Sequence, residues 1–125
     1  MSTVKTLLAV DDEPANLYLI QMALEESGLE VKLVTAANGL EAIERARDVR
    51  PSLVLMDLKM PVLDGWAATR RLKGDPMTAT IPVIALSAQA MAGDRERALG
   101  AGCDGYLSKP LDMAAFLALL KAYLT

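Results

Sequence analysis

An α/β fold, with helices on both faces of a five-stranded parallel sheet, is what this sequence predicts. Three observations predict it. Short apolar runs alternate five times with longer helix-like stretches along the 125 residues. The runs at 5–10 (from Leu7 on), 53–56 and 81–86 read as continuous apolar runs, as strands buried on both faces do. Carboxylates and other polar groups stand at the carboxyl ends of those runs, where open parallel sheets keep their working sites.

The elements follow in order. "KTLLAV" (5–10) is a strand that ends at Asp11. Pro14 suits a first helical turn, and the helix it opens should stop at Gly28. "VKLVTA" (31–36) is strand-like, and Asn38-Gly39 then opens a helix through Val49, closed by Pro51. "LVLM" (53–56) is the third strand. A turn over 58–64 leads into a helix from Gly65 to about Lys73, with Asp64 as its structural cap. "IPVIAL" (81–86) is the fourth strand. The next helix, "AGDRERALGAG", holds Gly93 and Gly100, each costing ~1 kcal/mol relative to Ala, so it should be loosely held. Its "DRER" run reads as a solvated face. "GYLS" (105–108) is a short fifth strand, and "LDMAAFLALLKAYL" (111–124) is a final helix with Asp112 as N-cap.

The bulk numbers fit one domain, expected over residues 4–124. At 53% apolar residues the chain can build a core, and with 4% aromatics that core must come from aliphatic side chains and Met. A net charge of −3 argues against nucleic acid as a direct partner. No apolar run approaches the ~20 residues that cross a bilayer, so no membrane is expected. "MSTVKT" lacks the marks of a signal peptide. The lone cysteine, Cys103, cannot close an internal disulfide and reads as a small buried filler, so a reducing cytoplasm is the expected location. There is no histidine, which removes histidine-based triads, most zinc sites and any self-supplied phosphohistidine.

Asp11, Asp12 and Glu13 follow the first strand and Asp57 the third. Ser87 ends the fourth, and Ser108-Lys109-Pro110 ends the fifth. If the first and third strands are central neighbours, three aspartates share one crevice. Carboxylates so close either raise a pKa or recruit a cation. Mg²⁺ fits best, with Mn²⁺ able to substitute, because it takes hard oxygen ligands and leaves positions for water and a phosphate. Three aspartates, a divalent ion and the Lys109 ammonium balance to neutrality. Asp11-Asp12 could instead merely cap the first helix.

This constellation resembles the receiver domain of two-component response regulators. "LLAVDDE" is similar to the family's acidic pair, and "DLKMPVLDG" matches its D-x-x-M-P-x-x-D-G segment. "VIALSA" matches its Ser/Thr strand end, and "GYLSKP" its lysine followed by proline. The resemblance implies the strand order 2-1-3-4-5. It implies Asp57 as nucleophile and phosphoacceptor, and Asp12 as a direct metal ligand. Asp11 would help mostly through water, and the Lys59 carbonyl would complete the protein ligands. Ser87 and Lys109 would hold phosphoryl oxygens with the Ala88 amide, and the Lys109-Pro110 bond would be cis. It also implies a histidine kinase or phosphotransfer protein as donor, no catalytic turnover beyond self-phosphorylation and self-dephosphorylation, and a monomer or weak dimer. Phosphorylation would draw Ser87 inward and let Tyr106 follow, changing the face of the fourth helix, fifth strand and fifth helix for a downstream protein.

On the first helix, Leu17, Ile20 and Leu24 form a core stripe, whereas Ala15, Leu19 and Met22 lie nearly opposite. Ala15, Asn16 and Leu19 are therefore expected to dock the phosphodonor. On the last helix, Phe116, Leu117, Leu120 and Leu124 read as core, with Ala115, Leu119 and Ala122 on the far side. A haloacid-type phosphatase would need a second acid where Lys59 stands, and a mononucleotide binder would not carry "DDEP" in its phosphate loop. A receiver-like scaffold that is not phosphorylated and a module of a hybrid kinase are the remaining alternatives. The native Met1 and the end at Thr125 lean toward a stand-alone regulator.

Overall fold

The computed structural model describes residues 4–87, 93–109 and 112–124. Ten elements alternate: β1 (Lys5–Val10), α1 (Pro14–Ser27), β2 (Val31–Ala36), α2 (Gly39–Val49), β3 (Leu53–Asp57), α3 (Gly65–Gly74), β4 (Val83–Ser87), α4 (Asp94–Gly100), β5 (Gly105–Ser108) and α5 (Met113–Leu124). The strands form one five-stranded sheet in the order β2-β1-β3-β4-β5. All four pairings are parallel. The fold class and strand order are those expected.

Alternate strand residues feed two cores. Leu7, Ala9, Leu53 and Leu55 pack with Ile20, Phe116 and Leu120 of α1 and α5. Leu8, Val10, Val54 and Met56 pack with Ala42, Ala68 and Ala98 of α2, α3 and α4. Every residue of β3 and β4 is buried, which is why those segments read as unbroken apolar runs. The edge strands β2 and β5 are only partly covered.

The helix boundaries have local causes. Asn38 Oδ1 accepts from the Glu41 amide at 3.0 Å, and its Nδ2 donates to Glu41 Oε2 at 3.2 Å. Asp64 Oδ1 accepts from the Ala67 amide at 2.8 Å, as expected of a cap. Asp112 Oδ1 accepts from the Ala114 amide at 3.0 Å, although α5 itself begins at Met113. α1 departs from the capping alternative: Glu13 holds the N-cap position without a side-chain bond. Asp11 Oδ1 instead accepts from the Glu13 amide at 2.9 Å, because the carboxylate folds back into the crevice rather than over the helix.

Two boundaries shift from the sequence reading. β4 starts at Val83, after Pro82, which has no N–H to give the ladder. α4 is confined to Asp94–Gly100, bounded by Gly93 at φ 94° and by the turn that carries Gly102 at φ 108°. α2 ends at Val49, the bound expected, and its C-cap Arg50 has φ 44°, a left-handed position taken by a non-glycine residue just before Pro51. Leu119, placed outward by its spacing, packs partly against the α1/α5 core.

Candidate functional site

The carboxyl ends of β1, β3 and β5 converge. Asp11 follows β1 and is 1% exposed; Asp57 closes β3 and is 6% exposed; Asp12 stands in solvent beside them. One oxygen from each of the three lies within 4.8 Å of the others. Lys109, directly after β5, reaches back over β4 and β3. Its Nζ donates to Asp11 Oδ2 at 2.7 Å and stands 3.6 Å from Asp57 Oδ1. With Glu13, Asn16 and Lys59 these residues line a cleft of ≈ 550 Å³.

Backbone geometry presents Asp57. β3 is fully buried up to the aspartate, and the Lys59 amide then turns back to Asp57 Oδ1 at 3.4 Å. Gly65 N–H donates to Leu58 O at 2.9 Å, closing the loop over 58–65. A Cβ on Gly65 would drive into the Asp57 carbonyl, so the D-G pair of the motif is a steric requirement. Within the loop, the Leu63 amide donates to Pro61 O at 2.8 Å around Val62. Val62 has φ 70°, a strained conformation for a β-branched residue, and it is 73% exposed.

The electrostatics follow from this placement. The Asp57 carboxyl is pushed up from 3.8 to about 6, first by burial and next by the neighbouring Asp11 charge. Lys109 and the Lys59 amide act in the opposite sense, and Asp12 adds a smaller upward push. The donor set, three hard carboxylates with one lysine already balancing part of their charge, suits a small divalent cation.

Other expected site residues are placed as follows. Ser87 ends β4 and is 2% exposed, and its carbonyl accepts from the Lys109 amide at 2.6 Å. Tyr106 is half-buried on β5 against the α2/α3/α4 core, and its hydroxyl is buried with no hydrogen-bond partner among the described residues. Leu19 is 57% exposed and Ala15 is exposed, while Asn16 is half-buried at the cleft. Tyr18, 61% exposed next to them, was not singled out by the apolar spacing. Ala88 and Pro110 lie outside the described residues.

Two contacts escaped sequence reasoning altogether. The Arg97 guanidinium of α4, read as part of a solvated run, stacks 3.8 Å from the centroid of the Trp66 ring on α3. Lys73 of α3 pairs with Asp104 at 2.9 Å. Neither has a periodic signal, because each joins segments distant in sequence. Cys103 is buried as expected, 3.7 Å from Thr69 Oγ1, and burial pushes its thiol up.

A family model for the response regulator receiver domain matches residues 7–121. The chain belongs to the receiver family. This receiver is 42% identical over 120 residues to the polar-differentiation response regulator DivK of Brucella anthropi, covering 96% of each chain. It is 35% identical to the receiver domain of the sensor histidine kinase PA1611 from Pseudomonas aeruginosa PAO1, with a TM-score of 0.87 and 98% of each chain covered. That structure holds a magnesium ion in its active-site cleft. The Mn²⁺-bound form of the response regulator Rcp1 is 25% identical, with a TM-score of 0.79, and the match covers 94% of this receiver and 90% of Rcp1. The receiver is thus a module of two-component signalling, a class that works with histidine kinases or phosphotransfer proteins and with downstream targets. No helix among the described residues is long and apolar enough to cross a membrane.

Proposed function

We propose that the receiver accepts a phosphoryl group on Asp57 in a cleft loaded with Mg²⁺ or Mn²⁺. The observation that carries this reading is the position of Lys109, with its ammonium 2.7 Å from Asp11 and 3.6 Å from Asp57 although it is remote from both in sequence. Asp57, Asp12 and the Lys59 carbonyl would hold the cation directly, with Asp11 acting through water. When bound, the cation offsets carboxylate charge and polarises phosphoryl oxygens. The 125 residues hold no histidine, so the donor imidazole lies outside this receiver, on a histidine kinase or phosphotransfer protein. The donor's phosphorus–nitrogen bond breaks as a bond forms from an Asp57 oxygen, and its electron pair leaves with the imidazole. Lys109 and the Ser87 hydroxyl, with the Ala88 amide, steady the oxygens of the transferring group, and no further turnover follows beyond self-dephosphorylation.

Ala15, Asn16 and Leu19 dock the donor beside the cleft. Ser87 and Tyr106 relay the modified state to the α4/β5/α5 face, where a protein target binds. The location we assign is the cytoplasm. The likeness to the PA1611 receiver favours a second reading of the chain's setting, as a receiver within a hybrid kinase; the same chemistry serves both.

The test is incubation with a small phosphodonor and Mg²⁺, read by intact mass. One acid-labile phosphoryl group per chain is expected, absent in Asp57→Asn. Turnover of many equivalents would instead indicate a phosphatase, and no reaction a scaffold.

A further inference from the structure

Lys109 must be delivered to the cleft by a weak element. β5 has four residues, none fully buried, and it pairs with β4 alone. Its ladder with β4 is four residues long, from Ile84↔Gly105 to Ser87↔Ser108. A slip of one residue would move Lys109 by ~3.3 Å along the strand and reverse the faces of Tyr106 and Leu107. The 2.7 Å contact with Asp11 would not survive it.

The far end of β5 carries a clamp. The Asp104 amide donates to Val83 O at 2.7 Å, and Asp104 Oδ2 accepts from the Val83 amide at 2.8 Å. A side-chain oxygen thus supplies a bond that ties the first residue of β4 to the residue before β5. The same Oδ2 accepts from Lys73 Nζ at 2.9 Å. Lys73 also donates to Ile81 O at 2.7 Å and Ala79 O at 3.4 Å, so all three of its donors are engaged by protein. Its stem lies against Gly102, where a Cβ would come within 2.9 Å of Lys73 Cγ. α3, the segment before β4 and the turn before β5 meet at this one ammonium.

The geometry points to Asp104, held by Lys73, as the positioning residue that sets the register of β5 and so places Lys109 against Asp11 and Asp57. The inference extends the phosphoryl reading of the cleft, and it is tested first by a measurement that needs no phosphorylation. In the full chain, Asp104→Ala is expected to speed hydrogen exchange of the Lys109 amide, which donates to Ser87 O, while amides of β1 and β3 keep their protection. Asp104→Asn, which preserves volume and an acceptor, should show a smaller change and serves if the alanine variant does not fold. Lys73→Met should match the alanine variant, and Lys73→Arg should restore protection. Unchanged exchange at Lys109 in Asp104→Ala overturns the inference.

A second arm separates placement from general loosening. Removing an ammonium from among carboxylates strengthens cation binding, whereas loosening the cleft weakens it. Lys109→Ala should tighten Mg²⁺ binding measured by calorimetry, Asp104→Ala should tighten it less, and the double variant should equal Lys109→Ala. The phosphorylation rate from the small donor should fall about tenfold in Asp104→Ala, again without adding to the Lys109→Ala loss. Additive losses, or weakened Mg²⁺ binding in Asp104→Ala, overturn the inference. A wild-type protein that takes no phosphoryl group sinks the proposed function while leaving the exchange result to judge Asp104.

Discussion

Asp57 is held at odds with its own charge. Burial and Asp11 raise its pKa from 3.8 to about 6, so the folded protein binds this proton more tightly than the unfolded chain does. Its ionisation therefore costs the metal-free fold stability. The cost is absent below about pH 4, grows between about pH 4 and 6, and is complete above that window, at ~3 kcal/mol as an upper estimate. Asp57→Asn should accordingly raise the melting temperature of the metal-free protein at pH 8 and leave it nearly unchanged at pH 4, as read by thermal unfolding across a pH series. Equal shifts at both values would contradict this account of the site. Lys109 alone does not cancel the repulsion: it pairs closely with Asp11 and only loosely with Asp57.

Among elements, the β3–α3 loop is where strain has been accepted for shape. Val62 occupies φ 70° while exposing 73% of its surface, so its side chain brings little packing in return. Val62→Gly should stabilise the protein by about 1 kcal/mol in urea unfolding, the relief of a left-handed β-branched residue less the added flexibility of glycine. α1 presents Tyr18, Leu19 and Met22 to solvent next to the cleft. Leu19→Glu should slow phosphotransfer from a phosphorylated partner protein while leaving the reaction with a small phosphodonor intact, because the latter needs no docked helix. Slowing of both reactions would place the fault in the cleft itself. α4 is the least anchored helix, with Ala98 as its one buried residue among those described and Arg97 lying over Trp66 as its tie to α3.

At the scale of the whole molecule, metal and fold are linked. Mg²⁺ that binds the folded cleft alone stabilises by mass action, by ~2.7 kcal/mol at a hundredfold excess over its dissociation constant. Millimolar Mg²⁺ should raise the melting temperature, chelator should reverse the shift, and Asp12→Asn should diminish it. The gathering of Asp11, Asp57 and Lys109 was legible because each stands at or just past the end of a strand, and a parallel sheet carries strand ends to one edge; the strand order itself came only with the resemblance to receiver domains. Asp64 was legible as a cap, and Asn38-Gly39 as the opening of α2, because both signals are local. Arg50 was not, since proline explains where α2 stops but not the left-handed turn before it. Arg97 on Trp66 and Lys73 on Asp104 were not, since charge in an amphipathic run looks the same whether it meets water or a distant side chain. Leu119 misled because α5 is apolar almost all round, which blurs its inner and outer sides.

Trp66 is the chain's one indole, and it sits at the start of α3 beneath a guanidinium carried by α4. Any rearrangement that lifts that cation away changes the environment of the single indole, which can be excited apart from the three tyrosines. The protein therefore comes with its own optical reporter, and its switching can be timed in unlabelled material by ultraviolet emission.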